Sequence, residues 1–250
     1  MDYFFILYIF FGISPSLLWL GYYMRKDVHP ESKTMIAKVF LAGALITVPT
    51  FLVQVSSAYF LKRSGISGVA VNVLYFFVVV AFTEEMFKFL AVKDKIMKSP
   101  ETDEPVDVML YMVIGALGFA AVENIMYLTL PSYKMSFNDV LNRTVVLTIV
   151  RFLGSTLLHT LSSGLVGYFL ALSFREAKKK LWLVICGVIL ATLIHGTYNM
   201  SIMLARGSLK LIIPAGILVV LAIFISLFFA RLRRINSTCE IEITHNDKGL

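Results

Sequence analysis

Charge is scarce in this sequence: Asp, Glu, Lys and Arg make up 16% of its 250 residues, where a soluble globular domain carries about 25%. With 58% of residues hydrophobic, there are too few polar groups to cover a soluble globule. The mean hydropathy of +0.80 agrees. Cysteine is nearly absent. Cys186 inside an apolar run and Cys239 near the C-terminus exclude a disulfide-stapled secreted scaffold. The 20 Phe and 11 Tyr exclude intrinsic disorder. Alternating ten-residue strands, which a closed barrel needs, are missing as well. The apolar runs are unbroken, so the expected fold class is all-α, a polytopic membrane helix bundle.

Seven stretches are long enough to cross a hydrocarbon core of about 30 Å. They run roughly over 3–23, 35–61, 67–92, 107–130, 144–174, 181–205 and 209–230. The fifth is too long for one straight span. It reads as a tilted helix, or as a short helix ahead of a span starting near Gly154, which makes eight helices the alternative. The opening Met1-Asp2-Tyr3 has no positive n-region and no cleavage site, so the first stretch reads as a retained span. The expected organisation is one membrane domain over 1–235, its motif-bearing core at 80–205, and a polar tail over 236–250.

A net charge of +7 would suggest nucleic acid in a soluble protein. Here the basic residues sit in short loops, and the lipid bilayer is the expected partner instead of nucleic acid. Fourteen of them (Arg25, Lys26, Lys33, Lys93, Lys95, Lys98, Arg175, Lys178, Lys179, Lys180, Arg231, Arg233, Arg234 and Lys248) fall on one side. Six (Lys62, Arg63, Lys134, Arg143, Arg206 and Lys210) fall on the other. That asymmetry puts the N-terminus outside and the C-terminus in the cytoplasm.

The few charges inside the spans are the informative ones. Glu84, Glu85, Lys88, Glu123 and Arg151 lie in apolar runs, as do His159 and His195. A charge at a helix centre costs about 2.5–3.5 kcal/mol, so five cost on the order of 15 kcal/mol before pairing. They should therefore face one another. Lys88 is i+4 from Glu84 and i+3 from Glu85 and can reach either. Gly115 and Gly118 permit close helix approach just before Phe119 and Glu123-Asn124. His195 and Asn199 share one helical face. Three carboxylates against Lys88 and Arg151 leave one negative charge over, to be met by a proton, a cationic histidine or a bound cation. Counted from Val92, Glu84 comes out shallower in the membrane than Glu123, His159 and His195.

Singly, each of these residues has an ordinary structural reading, an ion pair, interhelical hydrogen bonding or a core histidine; jointly they make proton-transfer chemistry possible, and the intramembrane protease chemistries can be weighed against them. A His-Glu-x-x-His zinc motif is missing, no aspartate pair lies within the spans, and no elbow supports Ser155, Ser162 or Ser163 as a nucleophile. Two glutamate-bearing helices and two histidine-bearing helices remain.

The ordered set Glu84-Glu85-x-x-Lys88, Gly118-Phe119-Ala120-Ala121-Val122-Glu123-Asn124, His159 with Gly164, and His195-x-x-x-Asn199 resembles the PrsW family of intramembrane proteases, relatives of the CAAX prenyl proteases. The resemblance spans residues 80–200 and implies an endopeptidase cutting a membrane-anchored protein substrate, in that family's case the first cut of an anti-sigma factor. It implies Glu84, Glu85, Glu123, His159, His195 and Asn199 as catalytic residues, with Lys88, Asn124 and Arg151 supporting them. Two chemistries stay open. In one, Glu84 or Glu85 polarises water, the histidines and Asn199 stabilise the oxyanion, and no cofactor is needed. In the other, His159, His195 and Glu123 hold a divalent metal such as zinc. A proton-coupled transporter or an inactive scaffold would use the same residues differently.

Overall fold

The structure, a computed structural model, describes residues 2–25, 31–129 and 136–234. The tail expected over 236–250, with Cys239, lies outside the described residues. Among the described residues there is no strand. In hydrocarbon each backbone N–H and C=O must find a partner within its own segment, and apolar sequence of this kind satisfies that condition as helix.

The elements are α1 (Asp2–Met24), α2 (Lys33–Arg63), α3 (Val69–Val73), a π-helical stretch (Leu74–Phe82), α4 (Thr83–Lys98), α5 (Pro105–Leu128), α6 (Phe137–Leu153), α7 (Ser155–Arg175), α8 (Lys180–Leu204) and α9 (Leu209–Arg234). Among the described residues seven helical runs are long and apolar enough to cross a membrane, with α3 to α4 forming one run and α6 to α7 another. The protein is an integral membrane helix bundle. Caps set several starts. Ser32 accepts from the Met35 N–H at 3.1 Å, and the Asp107 carboxylate accepts from the Glu104 N–H at 2.7 Å ahead of Pro105, which satisfies donors that a helix start leaves open.

The long fifth stretch is two helices, broken at Gly154 as one sequence reading had it, while the crossing runs among the described residues number seven and not eight. A Cβ at Gly154 would lie 2.7 Å from the Val150 carbonyl and 2.8 Å from the Tyr198 hydroxyl; only glycine fits that corner. The two helices point the same way. Asn124 of α5 meets Thr156, and a Cβ at Gly167 would lie 2.8 Å from Met109 Cα, so α7 runs antiparallel to α5. Likewise α1 is antiparallel to α5, because Asn124 meets the Gly12 carbonyl while Tyr23 and Val106 line one cavity. Beside α1, α6 keeps its direction: Phe137 packs on Phe4, Thr148 donates to the Phe11 carbonyl and the Phe152 carbonyl accepts from Trp19. The break therefore bends a crossing and does not add a return.

Buried along nearly its whole length, α5 is the axis of the bundle. Against it α2 approaches so closely that a Cβ at Gly118 would lie 1.9 Å from the Phe40 carbonyl. This is the small-residue contact read from Gly115 and Gly118, and it exists because lipid offers no hydrophobic drive, so packing distance decides helix association.

Candidate active site

Four helices bring the embedded polar residues to one point. Glu84, Glu85 and Lys88 come from the first two turns of α4. Glu123 and Asn124 come from α5, His159 from α7 and His195 from α8. Since α4 runs on to Lys98, Glu84 lies about 21 Å from that end, level with the histidines. The shallower depth counted from Val92 is corrected by those extra turns.

The stretch before Glu84 is π-helical, and the Thr83 hydroxyl donates back to the Val78 carbonyl at 3.2 Å. Wider turns of this kind are uncommon and recur at functional sites. The stretch packs on α8, where a Cβ at Gly196 would lie 2.5 Å from the Phe77 ring. Gly196 thus lets the glutamate-bearing run approach α8 beside His195.

Glu85 is wholly buried and fully engaged. Its Oε1 accepts from Lys88 at 2.6 Å, His195 Nδ1 at 2.8 Å and Ser162 at 3.0 Å, and its Oε2 from Ser163 at 3.4 Å. Glu123 is engaged differently. Its Oε2 meets Arg151 Nη2 at 2.5 Å and His159 Nε2 at 2.9 Å. Arg151 also donates through Nε to Asn124 Oδ1 at 2.5 Å and lies over the Tyr127 ring, its guanidinium carbon 4.0 Å from the centroid. The surplus negative charge is now located. Lys88 pairs with Glu85 and Arg151 with Glu123, which leaves Glu84 with no cation of its own.

Glu84 Oε1 accepts from the neutral amide of Gln54 at 2.9 Å. Its Oε2 is buried without a hydrogen-bond partner, 3.7 Å from both His159 Nδ1 and His195 Nε2. The far nitrogens of the two rings, His159 Nε2 and His195 Nδ1, donate to carboxylates. With the rings neutral, each near nitrogen would keep its lone pair on the side facing Glu84. Donor atoms of Glu84, His159 and His195 lie within 4.8 Å of one another, a group able to hold a metal ion. This group contains Glu84 where the sequence suggested Glu123, because Arg151 and His159 already occupy Glu123. Lys88 Nζ lies 3.1 Å from His159 Nδ1 and competes for the same lone pair.

Asn199 is half-buried on α8 one turn past His195 and takes no part in this hydrogen-bonded cluster. Sequence reasoning missed Gln54, although it is the one amide in the interior of α2's apolar stretch. It weighed Ser162 and Ser163 only as nucleophiles, and they are hydrogen-bond donors to Glu85.

A polytopic helix bundle that buries paired glutamates, a lysine and two histidines at one depth has the makings of a membrane-embedded hydrolase. The comparisons carry this to a family: the profile described as PrsW family intramembrane metalloprotease matches residues 31–229, and the chain belongs to that family of intramembrane proteases. It is 29% identical to Protease PrsW of Geobacillus kaustophilus over 189 residues, 75% of this chain and 76% of that one. Against Protease PrsW of Bacillus subtilis the identity is 27% over 192 residues, 75% and 79% of the two chains. With Protease PrsW of Clostridioides difficile it is 26% over 196 residues, 77% and 78%. No solved structure matches.

Proposed function

We propose that this intramembrane protease is metal-dependent and cuts a membrane-anchored protein substrate, with Glu84, His159 and His195 as the residues that would hold a divalent cation such as zinc. The observation that carries this reading is Glu84 Oε2, the one carboxylate oxygen of the cluster left buried and unpartnered, 3.7 Å from a ring nitrogen of each histidine. Ligands of a tetrahedral zinc stand about 3.3 Å apart given bonds of about 2.0–2.1 Å, close to the 3.7 Å seen here. Two histidines and a glutamate match a known catalytic zinc donor set. Each histidine has a carboxylate behind it, the arrangement that fixes ring orientation at metal sites.

A bound cation would supply Lewis acidity and ease deprotonation of the attacking water. The chain's own residues supply the rest. Glu85, fully engaged, orients His195 through Nδ1. Glu123 is partly exposed and orients His159 from behind, through Nε2. Asn199, without a hydrogen-bond partner among the described residues, is assigned as an oxyanion donor.

The distribution of Lys and Arg supports a cytoplasmic C-terminus. The bacterial relatives support a bacterial cell membrane, and an anti-sigma factor is the candidate substrate that the resemblance to the family implies. The test is metal content by mass spectrometry on purified protein, together with cleavage of single-span reporters. Wild type is expected to hold one equivalent of metal, with Glu84→Gln losing it, and cleavage with it, while inserting normally. Full activity in a rigorously metal-free sample would sink the reading. Proton flux through wild-type proteoliposomes that Glu84→Gln abolishes would favour the transporter.

A further inference from the structure

Beyond the site, two lysines converge on one groove in the lipid-facing surface. The α2 face of Lys38, Leu41, Ala42, Leu45 and Ile46 follows helical i, i+3, i+4 spacing, and α4 closes the groove with Ala91 and Lys95. Its volume is about 450 Å³. Leu41 and Leu45 are 58% and 73% exposed, so in a membrane protein the groove opens into acyl chains.

We propose that this groove binds one anionic phospholipid, the headgroup phosphate on Lys38 and Lys95 and an acyl chain along Leu41, Leu45 and Ile46. Both lysines stand at the same end of the helix pair. Lys38 lies near the start of α2 and Lys95 one turn before the end of α4, while Gln54 and Glu84 meet much further in. Both ammonium groups are exposed, and neither forms an ion pair among the described residues. The acid beside them, Asp94, is engaged by Lys98 at 3.6 Å. Neighbouring Lys93 lies over the Phe89 ring, its ammonium 5.7 Å from the centroid. Two cations without counter-ions at the head of an apolar trough complement a phosphate with a tail. Basic pockets between spanning helices are known to select anionic headgroups. A transmembrane helix seated in the same trough would leave both ammonium groups unmatched.

The inference is independent of the metal reading. Lipid in this groove would brace α2 against α4, the two helices that join Gln54 to Glu84.

The experiment uses the full chain in detergent, titrated with dioleoylphosphatidylglycerol or dioleoylphosphatidylcholine. Binding is followed by native mass spectrometry and by the lipid-induced rise in melting temperature. Each lysine is worth roughly a fivefold preference, so wild type is expected to favour the anionic lipid by roughly 30-fold. Lys38→Gln with Lys95→Gln is expected to bring the preference to within about threefold, whereas Lys178→Gln with Lys179→Gln leaves it intact. Leu45→Trp, which fills the trough and keeps both charges, is expected to expel the lipid and guards against a misfolded double variant. Equal binding of the two lipids by wild type overturns the proposal. So does an anionic preference that survives the double substitution. If Leu45→Trp blocks cleavage of a single-span reporter without changing lipid binding, the occupant is a substrate helix and the proposal is wrong.

Discussion

The two histidines of the site are held by two arms built from the same parts and set in different surroundings. His195 leans on Glu85, which leans on Lys88, and both of those side chains are fully buried. His159 leans on Glu123, which leans on Arg151, with side chains 18% and 11% exposed. Each arm is imidazole, carboxylate, cation. The Glu85 arm takes its acid and cation from one helical turn and seals them with two serines, as a structural element does. The Glu123 arm takes its cation from α6, a separate helix ending at the Gly154 corner, and keeps contact with the exterior. Burial makes the first arm a matter of stability, and partial exposure makes the second a matter of tuning. Glu84 stands between them with one oxygen free.

Removing the carboxylate from each arm in turn gives the largest contrast. Glu85→Ala strands the Lys88 ammonium in a sealed interior, and breaking a buried pair from one side costs about 3–5 kcal/mol. That protein is expected to accumulate poorly and to melt far below wild type. Glu85→Ala combined with Lys88→Met should recover much of the melting temperature without restoring cleavage. Glu123→Ala leaves Arg151 near the exterior with Asn124 and the Tyr127 ring still to hold it. It should fold close to normally and lose roughly 10–100-fold in metal affinity or activity, the usual cost of an outer partner of a ligand. Equal melting temperatures for Glu85→Ala and Glu123→Ala would erase the distinction between the arms.

Arg151 gives the next effect in size, because it acts on His159 only through Glu123. Arg151→Ala is expected to lower cleavage roughly tenfold, at the weak end of what outer partners contribute. Lysine lacks the fork that meets Glu123 through Nη2 and Asn124 through Nε at once, so Arg151→Lys should recover only part of that loss. Metal affinity measured against a competing chelator should fall in the same order. An Arg151→Lys protein indistinguishable from wild type in cleavage and chelator competition would reduce Arg151 to a simple counter-charge.

Much of this was legible from spacing. Intramembrane charges are costly enough that Glu84, Glu85, Lys88, Glu123 and Arg151 had to converge, and helical spacing tied Lys88 to Glu85. The charge count also showed that one carboxylate would be left over. Which carboxylate it was could not be read. That depends on Arg151 reaching Glu123 from α6, a helix bent toward α5 at Gly154, and on Lys88 choosing the i−3 acid over the i−4 one. Hence Glu123 stood in the expected metal set where the geometry brings Glu84. The π-helical run left no trace in sequence either. Leu74–Phe82 is uniformly apolar, and its close approach to α8 at Gly196 is a tertiary contact that local preference does not announce.

The smallest effect belongs to Gln54, the residue that separates Glu84 from both arms. Each arm ends in a cation, whereas Glu84 Oε1 is held by a neutral amide from α2. A cation there would satisfy Glu84 and take away its reason to bind a metal; an amide fixes the carboxylate's orientation and leaves its charge available. Gln54→Ala removes a single neutral hydrogen bond, worth about 1 kcal/mol net. Cleavage should therefore fall only about fivefold, with metal retained. Gln54→Lys introduces the missing cation within reach of Glu84. It is expected to leave the protein at least as stable as Gln54→Ala while weakening metal binding well below it. Measuring metal content and melting temperature on the two variants side by side separates charge from packing. If Gln54→Lys binds metal as tightly as wild type, the uncompensated charge on Glu84 is not what makes this a cation site.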